Sequence, residues 1–259
     1  MTVVSHLFLF FKYINLYENH LSNAFVDIAL KGRQISVENS CLLADDLSTG
    51  GMFPKAWIRD PDGFYLLKDG DRKAVERELL ASRIARCFAC RQVCYEEAFY
   101  DGARVSRSRL MSSLKYSLVS REAFEIYAQN HEINALDHIL ELDGYSYHMM
   151  NILDYLVGNT DRHRGNWGLL VDNQTNRPVR LHDLMDFNRT FSSYDTIEGA
   201  NCLTTDRSRC MTQYQAAFEA VSQIGLNSIA EIRPEWFGDH KEWVEMFWKR
   251  LKALENTKK

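Results

Sequence analysis

The chain has 259 residues, of which 46% are hydrophobic and 25% charged, and its formal net charge is −4 at pH 7. This length is sufficient for one large domain or two lobes with a hydrophobic core. The slightly acidic balance excludes broad, sequence-independent nucleic-acid binding, which needs a basic face. The longest apolar run, Leu7 to Phe11, is far shorter than the roughly 20 residues of a membrane-spanning helix. We therefore expect a cytoplasmic protein that does not associate with membranes.

The first half of the chain predicts a hairpin followed by a helix. Residues 1–45 give no clear pattern. Two apolar runs, Lys55 to Arg59 and Phe64 to Lys68, predict strands, and the sequence Asp-Pro-Asp-Gly between them is typical of a tight turn. The segment from Arg72 to Cys87, rich in Ala, Leu, Glu and Arg, predicts a helix.

The second half predicts a helix, a strand pair and a helical end. Residues 95–135 indicate one or two strands and a helix. Apolar residues recur at helical spacing from Ser146 to Val157, and Gly158 is placed to end that helix in the left-handed conformation. Trp167 to Val171 and Val179 to Leu181 predict paired strands. The remainder is predicted to be mostly helical.

Three polar side chains between these elements indicate phosphoryl transfer. Asp161 and Asn166 have the spacing of the Asp and Asn in the kinase catalytic loop H-R-D-x-x-x-x-N, and Asp186 opens a D-F-N tripeptide. Asp161 would orient and deprotonate an acceptor hydroxyl. Asn166 and Asp186 would supply the hard oxygen ligands that Mg²⁺ prefers. Each residue alone would more commonly cap a turn or lie at the surface, but their joint order and spacing favour a kinase.

A kinase also requires a lysine that reaches the phosphates and a helical glutamate that holds it. Lys68 ends the second predicted strand. Glu78 lies in the following helix, and its neighbours at i−4, i+3 and i+7 are all alanines, which is typical of a face packed closely on a sheet. Because an unpaired buried carboxylate is costly, we expect Glu78 to pair with Lys68. Glu76 is the alternative partner.

A polar loop ahead of the hairpin is a candidate phosphate-binding element. Its backbone N–H groups could cover the phosphates, with Lys55 just beyond it. The sequence matches neither G-x-G-x-x-G nor a Walker A motif, so its position is the main support. The loop residues are Ser48, Thr49, Gly50 and Gly51.

The residues around these motifs leave alternatives open. His163 is a candidate catalytic base, but Asp161 is already placed for the proton, which favours a structural histidine that bonds the loop backbone or Asp186. Arg162 and Arg164 are candidates for phosphate or substrate contacts, or are solvated loop charges. Asp183 is the alternative to Asp186 as the metal ligand.

The cysteines favour core thiols over a zinc site. Cys87, Cys90 and Cys94 follow a helical spacing and could share one buried helix face. A structural zinc site usually requires a second closely spaced Cys or Cys/His pair, and the remaining cysteines do not provide that spacing. We therefore predict no zinc.

The segment from Asn159 to Asn166 resembles the catalytic loop of HipA-like serine/threonine kinases, a bacterial group, and is also similar to that of the phosphatidylinositol kinase group. Ser48 to Lys55 resembles the HipA-like phosphate loop, and Lys68 and Glu78 match the ATP-contacting lysine and its glutamate. The resemblance implies ATP and Mg²⁺ as cofactors and a protein serine or threonine as acceptor. It also implies a small antitoxin-like partner of a toxin–antitoxin pair.

The same resemblance implies an α+β, two-lobed protein-kinase-like fold. The small mixed N-lobe would span residues 1–100 and the mostly helical C-lobe residues 101–259. Ser48 or Thr49 would be an autophosphorylation site. Asn188 stands where D-F-G has glycine, which leaves metal binding intact. The alternatives are a lipid or small-molecule kinase, and a pseudokinase or interaction module that retains nucleotide binding.

Overall fold

The computed structural model describes residues 35–37, 55–113, 115–192, 196–206 and 209–256. The predicted phosphate loop, residues 48–51, lies outside this described part. The strands and α-helices of the described part are β1 (Ile35–Val37), β2 (Lys55–Asp60), β3 (Gly63–Lys68), α1 (Arg72–Ala85), β4 (Tyr95–Tyr100), β5 (Ala103–Arg109), β6 (Tyr116–Ser120), α2 (Arg121–Asn130), α3 (Ala135–Val157), β7 (Gly168–Asp172), β8 (Arg177–Leu181), α4 (Gln213–Ile224) and α5 (Lys241–Glu255).

An antiparallel sheet and helix α1 form the first part of the fold. The strand order is β1-β2-β3-β5-β4, and the predicted hairpin is confirmed because β2 and β3 pair from Lys55 opposite Lys68 to Asp60 opposite Gly63. Helix α1 begins where the Asp71 side chain accepts a hydrogen bond from the Ala74 nitrogen at 2.7 Å. It packs against β4 and β5, which directs one of its faces toward the end of β3.

A second antiparallel sheet, with strand order β6-β7-β8, lies beside the long helix α3. Asp143 interrupts the helical backbone of α3 with φ −156° and ψ 54°. Gly158 ends the helix at φ 60° and ψ 45°, so the predicted left-handed cap is confirmed. The cap turns the chain directly into the Asp161 to Asn166 loop, which then enters β7.

Two hydrophobic clusters hold the described part together. The larger one centres on α3, whose Met149, Ile152 and Leu156 are fully buried, and it extends to α4 and α5. The smaller one, around Leu67 and Val105, lies in the first sheet. Helix α1 contributes Ile84, Ala81 and other residues to the larger cluster, so its position is tied to α3 as well as to the first sheet.

Two predictions about helices need correction. The described residues between Asn188 and Thr212 contain no helix, although this region was predicted to be mostly helical. Buried side chains bind its backbone instead, as when the Tyr155 hydroxyl donates to the Ile197 carbonyl at 2.8 Å. Helix α1 also ends at Ala85 rather than at residue 87.

The early end of α1 separates the three cysteines that were expected on one helix face. Cys87 is buried, Cys90 is half-buried and Cys94 is exposed, because the chain leaves the helix at Ala85, before all three of them. Within the residues that the structure describes, no helix combines the length and the apolar character needed to cross a bilayer.

Candidate active site

Lys68 joins two carboxylates that come from distant parts of the chain. Its Nζ atom lies 3.0 Å from Oε1 of Glu78 and 2.6 Å from Oδ1 of Asp186. Strand β3 delivers the lysine, α1 delivers the glutamate, and the loop after β8 delivers the aspartate. The structure thus brings together three residues that the sequence proposed separately for one site.

The charges of this triad support one another. Burial opposes the charged form of Lys68, but the carboxylates of Glu78 and Asp186 raise the pKa of the lysine above its ordinary value. Burial likewise opposes ionisation of Asp186, but the charge and hydrogen bond of Lys68, together with the charges of Arg162 and Lys55, outweigh burial and lower the pKa of the aspartate. Lysine and aspartate are therefore both charged at neutral pH.

The partners of Glu78 and Asp186 include two residues that sequence reasoning missed. Ser106 on β5 donates a hydrogen bond to Oε2 of Glu78, which is 1% exposed. The Tyr95 hydroxyl accepts a hydrogen bond from the backbone nitrogen of Asp186 at 3.0 Å. This bond helps to hold Asp186 at φ 60°, a left-handed conformation that is strained for a residue with a side chain. Glu76, the alternative to Glu78, pairs with Arg104 instead.

Lys55 places a second cation next to the triad. It lies opposite Lys68 in the β2–β3 pair, so both side chains project from the same face of the sheet. Lys55 is 7% exposed. Burial, together with the positive charge of Lys68, lowers the pKa of Lys55 to about 8. The site therefore presents two lysines beside one ionised aspartate.

The catalytic-loop candidates are fixed by short-range hydrogen bonds. The side-chain nitrogen of Asn166 donates to the carbonyl of Asp161 at 2.8 Å, which leaves the amide oxygen of Asn166 as the atom suited to bind a cation. The Asp161 nitrogen donates to the side-chain oxygen of Asn159 at 3.1 Å. His163 is exposed, and its Nδ1 accepts from the Gly165 nitrogen at 3.0 Å. That contact agrees with the backbone-bonding role favoured from the sequence.

One of the two arginines of the loop differs from its expected roles. Arg162 was expected to contact phosphate or to be solvated, but it is 2% exposed and pairs with Asp154 on α3 at 2.8 Å. Arg164 pairs with Glu125 on α2. The sequence did offer a signal for Asp154, because a carboxylate within an otherwise apolar helix end needs a cationic partner.

The donor set fits Mg²⁺. Asn166 and Asp186 provide one amide oxygen and one carboxylate, and the described residues hold no group of three or more His, Cys, Asp and Glu side chains that could bind a metal alone. Mg²⁺ is usually held in this way, by one or two protein oxygens together with water and substrate phosphates. Asp183, the alternative ligand, pairs with Arg180 at 2.7 Å.

The chain has the fold of a kinase. No protein-family model and no curated protein matches its sequence. Among solved structures, it is similar to the Helicobacter pylori proinflammatory kinase CtkA, with a TM-score of 0.61 and 14% identity over 81% of this chain and 94% of that chain.

A second similar structure is the Shewanella oneidensis MR-1 toxin–antitoxin complex of HipA, HipB and operator DNA. Its TM-score is 0.47 and its identity 9%, over 87% of this chain and 64% of the matched chain. This chain therefore spans less than two thirds of that structure's matched chain. The expected kinase-like fold is confirmed, with the CtkA similarity as its basis.

Proposed function

We propose that this chain is an ATP- and Mg²⁺-dependent phosphotransferase, and specifically a HipA-like serine/threonine protein kinase that can phosphorylate itself. The contact of Lys68 with both Glu78 and Asp186 is the observation that carries the proposal. In kinases a strand lysine contacts the nucleotide phosphates, a helical glutamate holds that lysine, and the D-F aspartate binds Mg²⁺. The kinase fold supports the same assignment.

In the proposed reaction, Asp161 accepts the proton of the acceptor hydroxyl as the hydroxyl oxygen bonds to the γ-phosphorus of ATP. The bond between that phosphorus and the β,γ-bridging oxygen breaks, and ADP leaves. Lys68 and Lys55 balance the negative charge of the phosphate oxygens, because both lysines lie next to Asp186. Asn166 and Asp186 would hold Mg²⁺, whose charge would help to neutralise the phosphate oxygens. His163 supports the loop backbone through Gly165 and takes no proton.

The finer features of the proposal come from the sequence resemblance. They are an N-lobe of residues 1–100, a C-lobe of residues 101–259, and phosphorylation of Ser48 or Thr49. A small antitoxin-like partner stays a prediction of the same kind, and the cytoplasmic location stays a prediction from the composition of the chain.

The direct test incubates the purified chain with γ-labelled ATP, Mg²⁺ and a general protein acceptor. The wild type is expected to transfer label to itself or to the acceptor. Asp161→Ala and Asp186→Ala are expected to lower the rate by about 100-fold or more, since each removes an interaction made in the transition state. His163→Gln is expected to lower the rate by less than about tenfold, because its role is structural.

Asp183→Ala is the matched comparison, since Asp183 is an aspartate three residues before Asp186. It is expected to retain labelling. Loss of labelling in Asp183→Ala but not in Asp186→Ala would reassign the metal ligand. Equal labelling by the wild type and by Asp161→Ala would contradict the proposed chemistry, and label found only in lipid or small molecules would contradict the protein acceptor.

A further inference from the structure

One buried guanidinium contacts the backbone next to both proposed metal ligands. The Nη1 atom of Arg162 donates to the carbonyl oxygen of Asn166 at 2.9 Å and to that of Met185 at 2.6 Å. Asn166 is itself a proposed ligand, and Met185 directly precedes Asp186. A single nitrogen atom therefore connects the catalytic loop to the residue that directly precedes the metal-binding tripeptide.

The guanidinium is anchored on its other side by a helix. Nε and Nη2 of Arg162 donate to the two carboxylate oxygens of Asp154 at 2.8 and 3.0 Å, which is a bidentate ion pair. Asp154 lies in the last turn of α3 and is 4% exposed. The side-chain nitrogen of Asn159 also donates to Asp154, at 2.9 Å. Because α3 is the centre of the larger hydrophobic cluster, the anchor lies on a closely packed helix.

The arrangement requires an arginine. These bonds use one N–H on Nε, one on Nη2 and both on Nη1, in directions that only a planar fork provides. A lysine could donate to some of these acceptors from a single point but could not span all of them. The Arg162 guanidinium also lies 5.4 Å from the centre of the Phe187 ring, so it contacts a residue of the tripeptide itself.

We propose that Arg162, held by Asp154, is a positioning residue that sets the placement of the two Mg²⁺ ligands Asn166 and Asp186 relative to each other. The inference rests on the proposed function. Arg162 acts through the backbone of the ligand-bearing segments and does not touch substrate. Residues that hold metal ligands in place without touching the metal typically contribute 10- to 100-fold in metal affinity or activity.

The test measures metal binding rather than turnover. The affinity of Mn²⁺, a probe for the Mg²⁺ site, is measured by electron paramagnetic resonance in the presence of ATP. Metal-free ATP binding is measured by calorimetry with a chelator. For Arg162→Lys, we expect Mn²⁺ affinity to fall by about 10- to 100-fold while metal-free ATP affinity changes by less than about twofold.

Arg250→Lys is the matched control. Arg250 is 1% exposed and donates from Nη1 to the Tyr155 carbonyl at 2.7 Å, so it is also a buried arginine bound to α3. Its substitution is expected to lower the melting temperature but to change Mn²⁺ affinity by less than about twofold, because its bond reaches neither ligand-bearing segment.

A second variant covers the case in which Arg162→Lys does not fold. Replacing a buried ion pair by apolar residues is often neutral for stability, so the double variant Asp154→Leu/Arg162→Met is expected to fold and to show the same loss of Mn²⁺ affinity. A folded variant of either kind with wild-type Mn²⁺ affinity would overturn the positioning role alone. A wild type that binds no Mn²⁺ with ATP would overturn the proposed function and this inference together.

Discussion

Replacing Lys68 by methionine tests whether Lys68, Glu78 and Asp186, the triad at the proposed active site, form an interdependent charge cluster. The substitution keeps most of the side-chain length but removes the cation that contacts Glu78 at 3.0 Å and Asp186 at 2.6 Å. Both carboxylates then lose a charge-assisted hydrogen bond while remaining largely buried. We expect Lys68→Met to abolish phosphotransfer and also to destabilise the fold.

The size of the destabilisation follows from the burial of the partners. Breaking a buried ion pair by removing one member typically costs about 3–5 kcal/mol, because the other charge stays buried without compensation. Two effects reduce this value here. The Asp186 side chain is 23% exposed, and Lys55 remains nearby as a second cation. We therefore expect a loss near the lower end, about 3 kcal/mol in the free energy of unfolding at pH 7.

The loss should depend on pH in a defined direction. In the wild type, Lys68 lowers the pKa of Asp186 against the effect of burial, so this aspartate contributes stability above its unfolded pKa and loses that contribution as pH falls. Without Lys68, burial dominates and the folded protein takes up a proton more readily than the unfolded chain. The difference between wild type and variant should therefore shrink on acidification from pH 7 to about pH 4.5.

Urea unfolding followed by tryptophan fluorescence measures both quantities. The double variant Lys68→Met/Glu78→Gln is the control, since neutralising Glu78 should restore part of the stability but none of the activity. A Lys68→Met protein as stable as the wild type at pH 7 would refute the reasoning. So would a loss that stays constant as the pH is lowered.

The sequence predicted the elements whose signals are local. The β2–β3 hairpin follows from turn residues between two apolar runs, and the cap at Gly158 follows from a glycine placed directly after a helical stripe. The Lys68–Glu78 pair was predictable for a related reason. The Glu78 carboxylate lies on a helix face of alanines, which offer it no opposite charge, and a buried carboxylate needs a cationic partner. Lys68, at the end of the preceding strand, is close in sequence and provides that charge.

The sequence could not predict contacts that depend on tertiary placement. Arg162 and Arg164 flank the same histidine and look equivalent in the sequence, yet one is buried against Asp154 and the other pairs with Glu125. The difference arises because the last turn of α3 lies under one side of the loop. Tyr95 reaches the backbone of Asp186 from 91 residues away, and no periodicity or spacing encodes that contact.

Two further expectations concern single positions. A Cβ atom at Gly168 would lie 2.1 Å from the Val119 carbonyl oxygen in the paired strand, so Gly168→Ala should lower the free energy of unfolding by about 1–3 kcal/mol. Thermal melts measure this loss. Gly144→Ala is the control, because a Cβ atom at Gly144 would have its nearest neighbour, the Leu140 side chain, at an ordinary 4.0 Å. Because burial lowers the pKa of Lys55 from 10.5 to about 8, the folded protein binds fewer protons than the unfolded chain between these values. The stability of the wild type relative to Lys55→Met should therefore rise with pH across that window, and a constant difference in urea unfolding would show that Lys55 titrates as an ordinary solvated lysine.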